Sequence, residues 1–272
     1  MIRKVCTNGG FYLPANNIFA VKMEIQRFFI EFAYRGTRYH GWQFQKNAHS
    51  VQAEMEKALS VILKQPSFLT GSGRTDTGVH ATQQFAHFDT TLNLEEEDFV
   101  KRINGVLPKD IAVYALRKVI DHAHARFNAR WRSYLYRITL RKDPFEEERA
   151  WLLYYYPSIE KMNEAAKLLL NHEDFQCFSK INTDVNHFNC KIKEAYWEQN
   201  DHELLFHITA NRFLRGMVRT IVGTLVQVGL GRIDCNQFQE ILDSKNRKQA
   251  KAASPAQGLY LCNVVYPQEI FI

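Results

Sequence analysis

The chain has 272 residues, 46% of them hydrophobic and 13% aromatic, enough to fill one large or two fused globular cores and too apolar for a disordered chain. Its 35 Lys and Arg against 29 Asp and Glu give a net charge of +6, which permits binding to nucleic-acid phosphates without requiring it. No apolar run approaches the ~20 residues of a membrane helix, and five cysteines without a C-x-x-C pair or zinc-like spacing fit reduced thiols in a cytosolic protein.

Residues 1–22, MIRKVCTNGGFYLPANNIFAVK, are broken by Gly9, Gly10 and Pro14 and lack the continuous apolar segment of a signal peptide; they read as an appendage. A strand is predicted over 27–34, then an amphipathic helix over 51–64 with Ser50 as its N-cap. A short strand at 67–70 leads into a glycine-rich stretch, followed by a strand over 83–89, a helix over 95–104 and a strand over 111–119. The second half opens with a strand over 133–140 and a helix over 158–171 capped by Ser158. A hairpin of 191–199 and 203–210 turns at Asn200-Asp201. Helices over 213–229 and 234–243 and a closing strand over 259–266 complete the chain. Strands broken by one or two helices point to α+β rather than a doubly wound parallel sheet. The expected division is 23–125 and 126–272, with the join near 120–132.

The glycine-rich stretch, GSGRTDTGVHA (71–81), presents a lone Asp76 with Arg74 two residues before it. Glycines here permit tight turns, and Asp76 can simply cap one of them. The spacing lacks the Gly-Lys-Ser/Thr of a P-loop and is no dinucleotide fingerprint. Asp-Thr-Gly spells an aspartic-protease signature, but that chemistry needs a second such carboxylate, and there is none. The remaining alternative is a single carboxylate kept charged by arginine and used as nucleophile or base, which requires a second arginine from elsewhere. In NRFLRGMVRTIVGTLVQVG (211–229), helical spacing puts Arg212, Arg215, Gly216, Arg219 and Gly223 on one arc of a largely apolar helix. A buried arginine almost always has a partner; an arc bathed in water is the alternative. In ARFNARWRSYLYRI (125–138), Arg126, Arg130, Arg132 and Arg137 interleave with aromatics. That pattern suits phosphates and unstacked bases, and equally suits a strand with aromatics inward and arginines outward. His122 and His124 lack a third ligand nearby, and Lys245, Arg247, Lys248 and Lys251 read as a solvated basic patch.

Five blocks, in order, carry a resemblance: GTRYHGWQ (36–43), GSGRTDTGVHA, ARFNARWRSYLYRI, NRFLRGMVRTIVGTLVQVG and GLYL (258–261). From about Met23 to the C-terminus the chain resembles the TruA family of tRNA pseudouridine synthases. The resemblance implies the pseudouridine synthase fold, an α+β architecture of two ferredoxin-like halves with joined antiparallel sheets and a central catalytic cleft. It implies Asp76 as the catalytic residue and Arg219 as its partner. Arg74 would help fix the loop and the RNA, and Tyr134 and Leu259 would pack against the target uracil. It further implies a cytoplasmic homodimer without cofactor or metal, acting on uridines 38, 39 and 40 in the anticodon arm of tRNA. Arg35 stands where the family usually has an acid, and residues 1–22 have no counterpart.

Overall fold

The computed structural model describes residues 24–181 and 185–272; the expected appendage at 1–22 lies outside them. In the first half, β1 (Gln26–Tyr34) pairs antiparallel with both β3 (His80–Thr90) and β4 (Ile111–Val119). Its Phe28, Ile30 and Phe32 alternate onto the face covered by two helices, α1 (Val51–Leu63) and α2 (Glu96–Val106). Helix α1 starts where the Ser50 side chain accepts from the Ala53 amide, and it buries Val51, Met55, Ala58, Leu59 and Leu63. The short β2 (Thr70–Gly71) hangs on β3.

The second half repeats the plan. Strand β5 (Trp131–Thr139) carries the short β6 (Trp151–Leu152) and pairs with β8 (Glu203–Ala210), which forms a hairpin with β7 (Ile192–Asn200). Asp201 takes a positive φ of 50° at that turn. Helices α3 (Ile159–Leu168), α4 (Met217–Gly229) and α5 (Cys235–Asp243) cover it. Ser158 caps α3, and Asp234 with Gln237 forms a capping box on α5.

Strand β9 (Leu259–Val265) lies between the halves, giving the order β4-β1-β3-β9-β5-β8-β7. It runs antiparallel to β5 but parallel to β3, and the parallel seam is only two pairs long, His80 with Tyr260 and Ala81 with Leu261. The fold is thus α+β with two antiparallel halves joined through a short parallel seam. β9 feeds both cores: Leu259 joins the core of Tyr136, Phe206 and Ile221, whereas Leu261 and Val264 join that of Phe32, Met55 and Phe99. Tyr134, opposite Leu261, packs against both.

Several expected boundaries move: the short strand read at 67–70 forms only at Thr70–Gly71, and the strand read at 83–89 extends over His80–Thr90. Helix α4 begins at Met217 rather than 213, because Gly216 sits at a φ of +71° and breaks the helical run. Arg212 and Arg215 therefore precede the helix and do not share an arc with Arg219. Gly223 does allow a close approach: a Cβ there would meet the Ala252 carbonyl oxygen at 2.0 Å. Among the described residues no helix is long and apolar enough to cross a membrane.

Candidate active site

The loop carrying Asp76 is held by buried polar groups from three directions. The Ser72 amide donates to the Phe85 carbonyl at 2.7 Å, and the Gln84 amide nitrogen donates to Gly73 O at 3.1 Å. Tyr34 donates its only hydroxyl proton to Gln84 Oε1 at 2.8 Å, so the Thr75 hydroxyl, also 2.8 Å away, donates to Tyr34. The 36–43 segment presses onto the loop backbone. A Cβ on Gly36 would stand 1.9 Å from the Val79 carbonyl oxygen, and one on Gly41, at a φ of +87°, 2.2 Å from that of Thr75. His80 completes the support. Its Nδ1 accepts from the Gly36 amide at 2.9 Å, which leaves the proton on Nε2, shared between Glu148 O at 3.0 Å and Gln257 O at 3.1 Å. Burial lowers the pKa of His80, so the ring stays neutral in this role.

Two guanidinium groups from the second half face Asp76. Arg219 Nη1 lies 3.7 Å from Oδ2 and Arg215 Nε 3.8 Å from Oδ1. Both exceed hydrogen-bond length, so the contacts are ionic and each carboxylate oxygen has its own cation. Arg219 is aimed by a 2.7 Å bond from its Nε to Ser254 O, made possible by the chain lying against α4 at Gly223. Arg219 is 23% exposed and Asp76 31%, whereas Arg215 is 60% exposed. Tyr134 is half-buried, with its ring edge-on to Phe213 at 5.0 Å. Its phenol pKa is pushed up to about 12, first by burial; Arg132 pulls it down and the charge of Asp76 raises it further. Tyr134 therefore presents an uncharged ring at neutral pH.

Of the five expected site residues, Asp76, Arg219 and Tyr134 come together. Leu259 is 6% exposed and packed in the core beside Tyr136, its cross-strand neighbour. Arg74 is exposed, and its side chain makes no hydrogen bond or ion pair among the described residues. Arg215 was expected on an arc with Arg219; it reaches Asp76 from the turn ahead of α4 instead.

The interleaved arginines depart from both alternating expectations. Arg137 binds Glu146 at 2.9 Å and also Glu203, and Arg130 binds Glu269 at 2.9 Å. Arg132 turns inward to backbone carbonyls. Only Arg126, lying over the exposed ring of Phe127, keeps its charge uncommitted. His124 accepts backbone amides on Nδ1 beside the His87 ring, and no group of three or more His, Cys, Asp or Glu among the described residues is arranged for a metal. Lys245, Arg247 and Lys248 border a groove of about 450 Å³ with Phe188 and Ile181, and its rim reaches the site where the Lys180 amide donates to Arg215 O.

Known proteins share this chain's sequence over nearly all of its length. A family model described as tRNA pseudouridine synthase matches residues 165–267. A tRNA pseudouridine synthase A of Porphyromonas gingivalis is 47% identical over 250 residues, covering 90% of this chain and 99% of that protein. Proteins of the same name from Bacteroides fragilis and a Thermoanaerobacter species are 45% and 40% identical, covering 92% and 86% of this chain and 100% and 96% of their own lengths. With matches this complete, spanning the loop of Asp76 and the segment of Arg219 alike, the chain belongs to the tRNA pseudouridine synthase A family.

Proposed function

We propose that this chain isomerises uridine to pseudouridine in tRNA, at positions 38, 39 and 40 of the anticodon arm, with Asp76 as the catalytic carboxylate. The observation that carries the reading is the pairing of Asp76 from the first half with Arg215 and Arg219 from the second, beside the ring of Tyr134. The reaction breaks the C1′–N1 bond, turns the uracil and joins C1′ to C5. The C5 proton leaves and N1 gains one, so neither electrons nor a phosphoryl group need a carrier. An ionised carboxylate serves each route: attack at C6, attack at C1′, or removal of the C2′ proton. Two guanidiniums keep that charge in place as RNA displaces water.

The target nucleotide must leave its stack to reach a protein carboxylate. In this reading Tyr134 and Leu259 pack against the uracil. Arg74, exposed and uncommitted next to Asp76, takes an RNA phosphate. The halves 23–125 and 126–272 are the units that bring acid and base-holding residues together. The reading extends to a cytoplasmic homodimer, as the family resemblance implies.

Tritium release from tRNA carrying 5-³H-uridine tests it, with intact protein and Asp76→Asn side by side. Release is expected from the first and not from the second, and mapping of the product places it at positions 38–40. Release by both overturns the role of Asp76. Release by neither, with tRNA bound, overturns the activity and favours a non-catalytic RNA-binding protein.

A further inference from the structure

Arg132 is a half-buried cation without an acid. It forms no ion pair among the described residues, and burial lowers its pKa. What surrounds it is backbone carbonyl oxygen. Nη2 donates to Ser72 O at 2.9 Å and to Arg126 O at 2.7 Å; Nη1 donates to Asn211 O at 3.0 Å and, at the limit of 3.5 Å, to Ala129 O. All four Nη hydrogens are thereby engaged, which leaves Nε–H alone for any other acceptor. Withdrawing a guanidinium from water is unfavourable, and neutral carbonyls return less of that loss than a carboxylate would. A half-buried guanidinium committed to carbonyls rather than to an acid calls for a gain other than stability.

The identity of the carbonyls supplies it. Ser72 lies four residues ahead of Asp76 on the glycine-rich loop of the first half. Asn211 directly follows β8 and lies four residues ahead of Arg215 and eight ahead of Arg219, in the second half. Arg126 and Ala129 belong to the segment joining the halves. One planar group therefore spans the roots of both sides of the carboxylate–guanidinium contact, and Gly73 lies over its Nε, where an added Cβ would stand 3.9 Å away. The separations across that contact, 3.7 and 3.8 Å, have no direct hydrogen bond of their own to hold them.

We propose that Arg132 is a positioning residue for the reaction: its guanidinium fixes the Asp76 loop against the Arg215–Arg219 segment and so sets the width of the cleft. The inference rests on the assignment of Asp76 as the catalytic carboxylate. A lysine keeps the charge but offers its donors from one point and cannot bridge carbonyls on opposite sides. A displacement near 1 Å at the reacting groups costs about 10²-fold in rate.

The test measures kcat, KM and tRNA affinity for Arg132→Lys and Arg132→Ala, with Asp76→Asn alongside. For Arg132→Lys, kcat is expected to fall about 10²-fold with tRNA affinity unchanged. For Arg132→Ala, free guanidinium at non-denaturing concentration is expected to restore turnover, while methylammonium at equal ionic strength is not. If the Ala variant does not fold, the split between kcat and affinity in Arg132→Lys, assayed below its melting temperature, decides alone. Normal kcat in folded Arg132→Lys overturns the proposal. So does a loss confined to affinity with a shallower salt dependence, which makes Arg132 an RNA contact, or a folded Ala variant that guanidinium does not rescue. Turnover by Asp76→Asn overturns the underlying site reading instead, which separates the two failures.

Discussion

Asp76 and Arg219 stand in each other's field but not in each other's hydrogen-bonding shell, and that spacing sets what a substitution does. Arg219 uses its Nε on Ser254 O and its Nη1 toward Asp76, two directions at once. Arg219→Lys keeps one charge and loses one of these directions, so kcat for tritium release should fall about tenfold or more while the melting temperature stays close to that of the parent. Turnover within about twofold of the parent would count against the pairing. At this scale the sequence was legible where chemistry is written in side chains: a lone acid in a glycine-rich loop, and an arginine on an apolar helix that had to find an acid. It was illegible where the partner is backbone. His80, shared between Gly36, Glu148 and Gln257, and Arg132, bound to carbonyls of Ser72, Arg126 and Asn211, answer to groups that every residue carries and that only folding brings near. Arg215 reached Asp76 by a route that helical spacing could not foresee, since Gly216 ended the helix first.

Among the elements, periodicity located every α-helix of the described chain to within a few residues, helped by the expected caps Ser50 and Ser158, which accept amides of the first turn; the short 3-10 turns carry no such period. The position of β9 was not written in its own residues. Leu259–Val265 reads as a closing strand, and nothing local says that it lies between β3 and β5 rather than at an edge. The 36–43 segment, a single 3-10 turn at Gly36–Arg38 followed by irregular chain, shows how backbone approach contributes. Gly41 combines a φ of +87° with a backbone approach that leaves 2.2 Å for a Cβ. Gly41→Ala must therefore displace the Thr75–Asp76 peptide, and a drop of about 1–3 kcal/mol in stability is expected, with a larger effect on turnover. Gly105→Ala on α2 is the control: a Cβ there meets nothing within 4 Å, and replacing a helical glycine gains up to about 1 kcal/mol. Thermal melts of both variants check the pair; equal effects would sink the account of Gly41.

For the whole molecule, the net charge of +6 is small, and what counts is where it is free. Arg130 and Arg137 are spent on acids, and Lys245 is held by Asp174 at 3.2 Å. Arg74, Arg126 and the groove of Arg247 and Lys248 remain open to phosphate. The affinity for tRNA should fall linearly in log–log form with salt. Arg247→Gln with Lys248→Gln should make that slope shallower by about 0.7–0.9 for each phosphate the variant no longer neutralises. A slope unchanged in the double variant would remove that groove from the RNA path. The order of strands also governs how the molecule comes into being. Asp76 is made well before β9, the strand that sews its loop to Tyr134. N-terminal parts of a chain fold as they emerge, so during synthesis both half-sheets wait with the flanks of β3 and β5 unpaired. The two half-sheets are joined only through β9, so a nascent chain halted before residue 259 can own Asp76, Arg219 and Tyr134 and still lack the strand that brings them together.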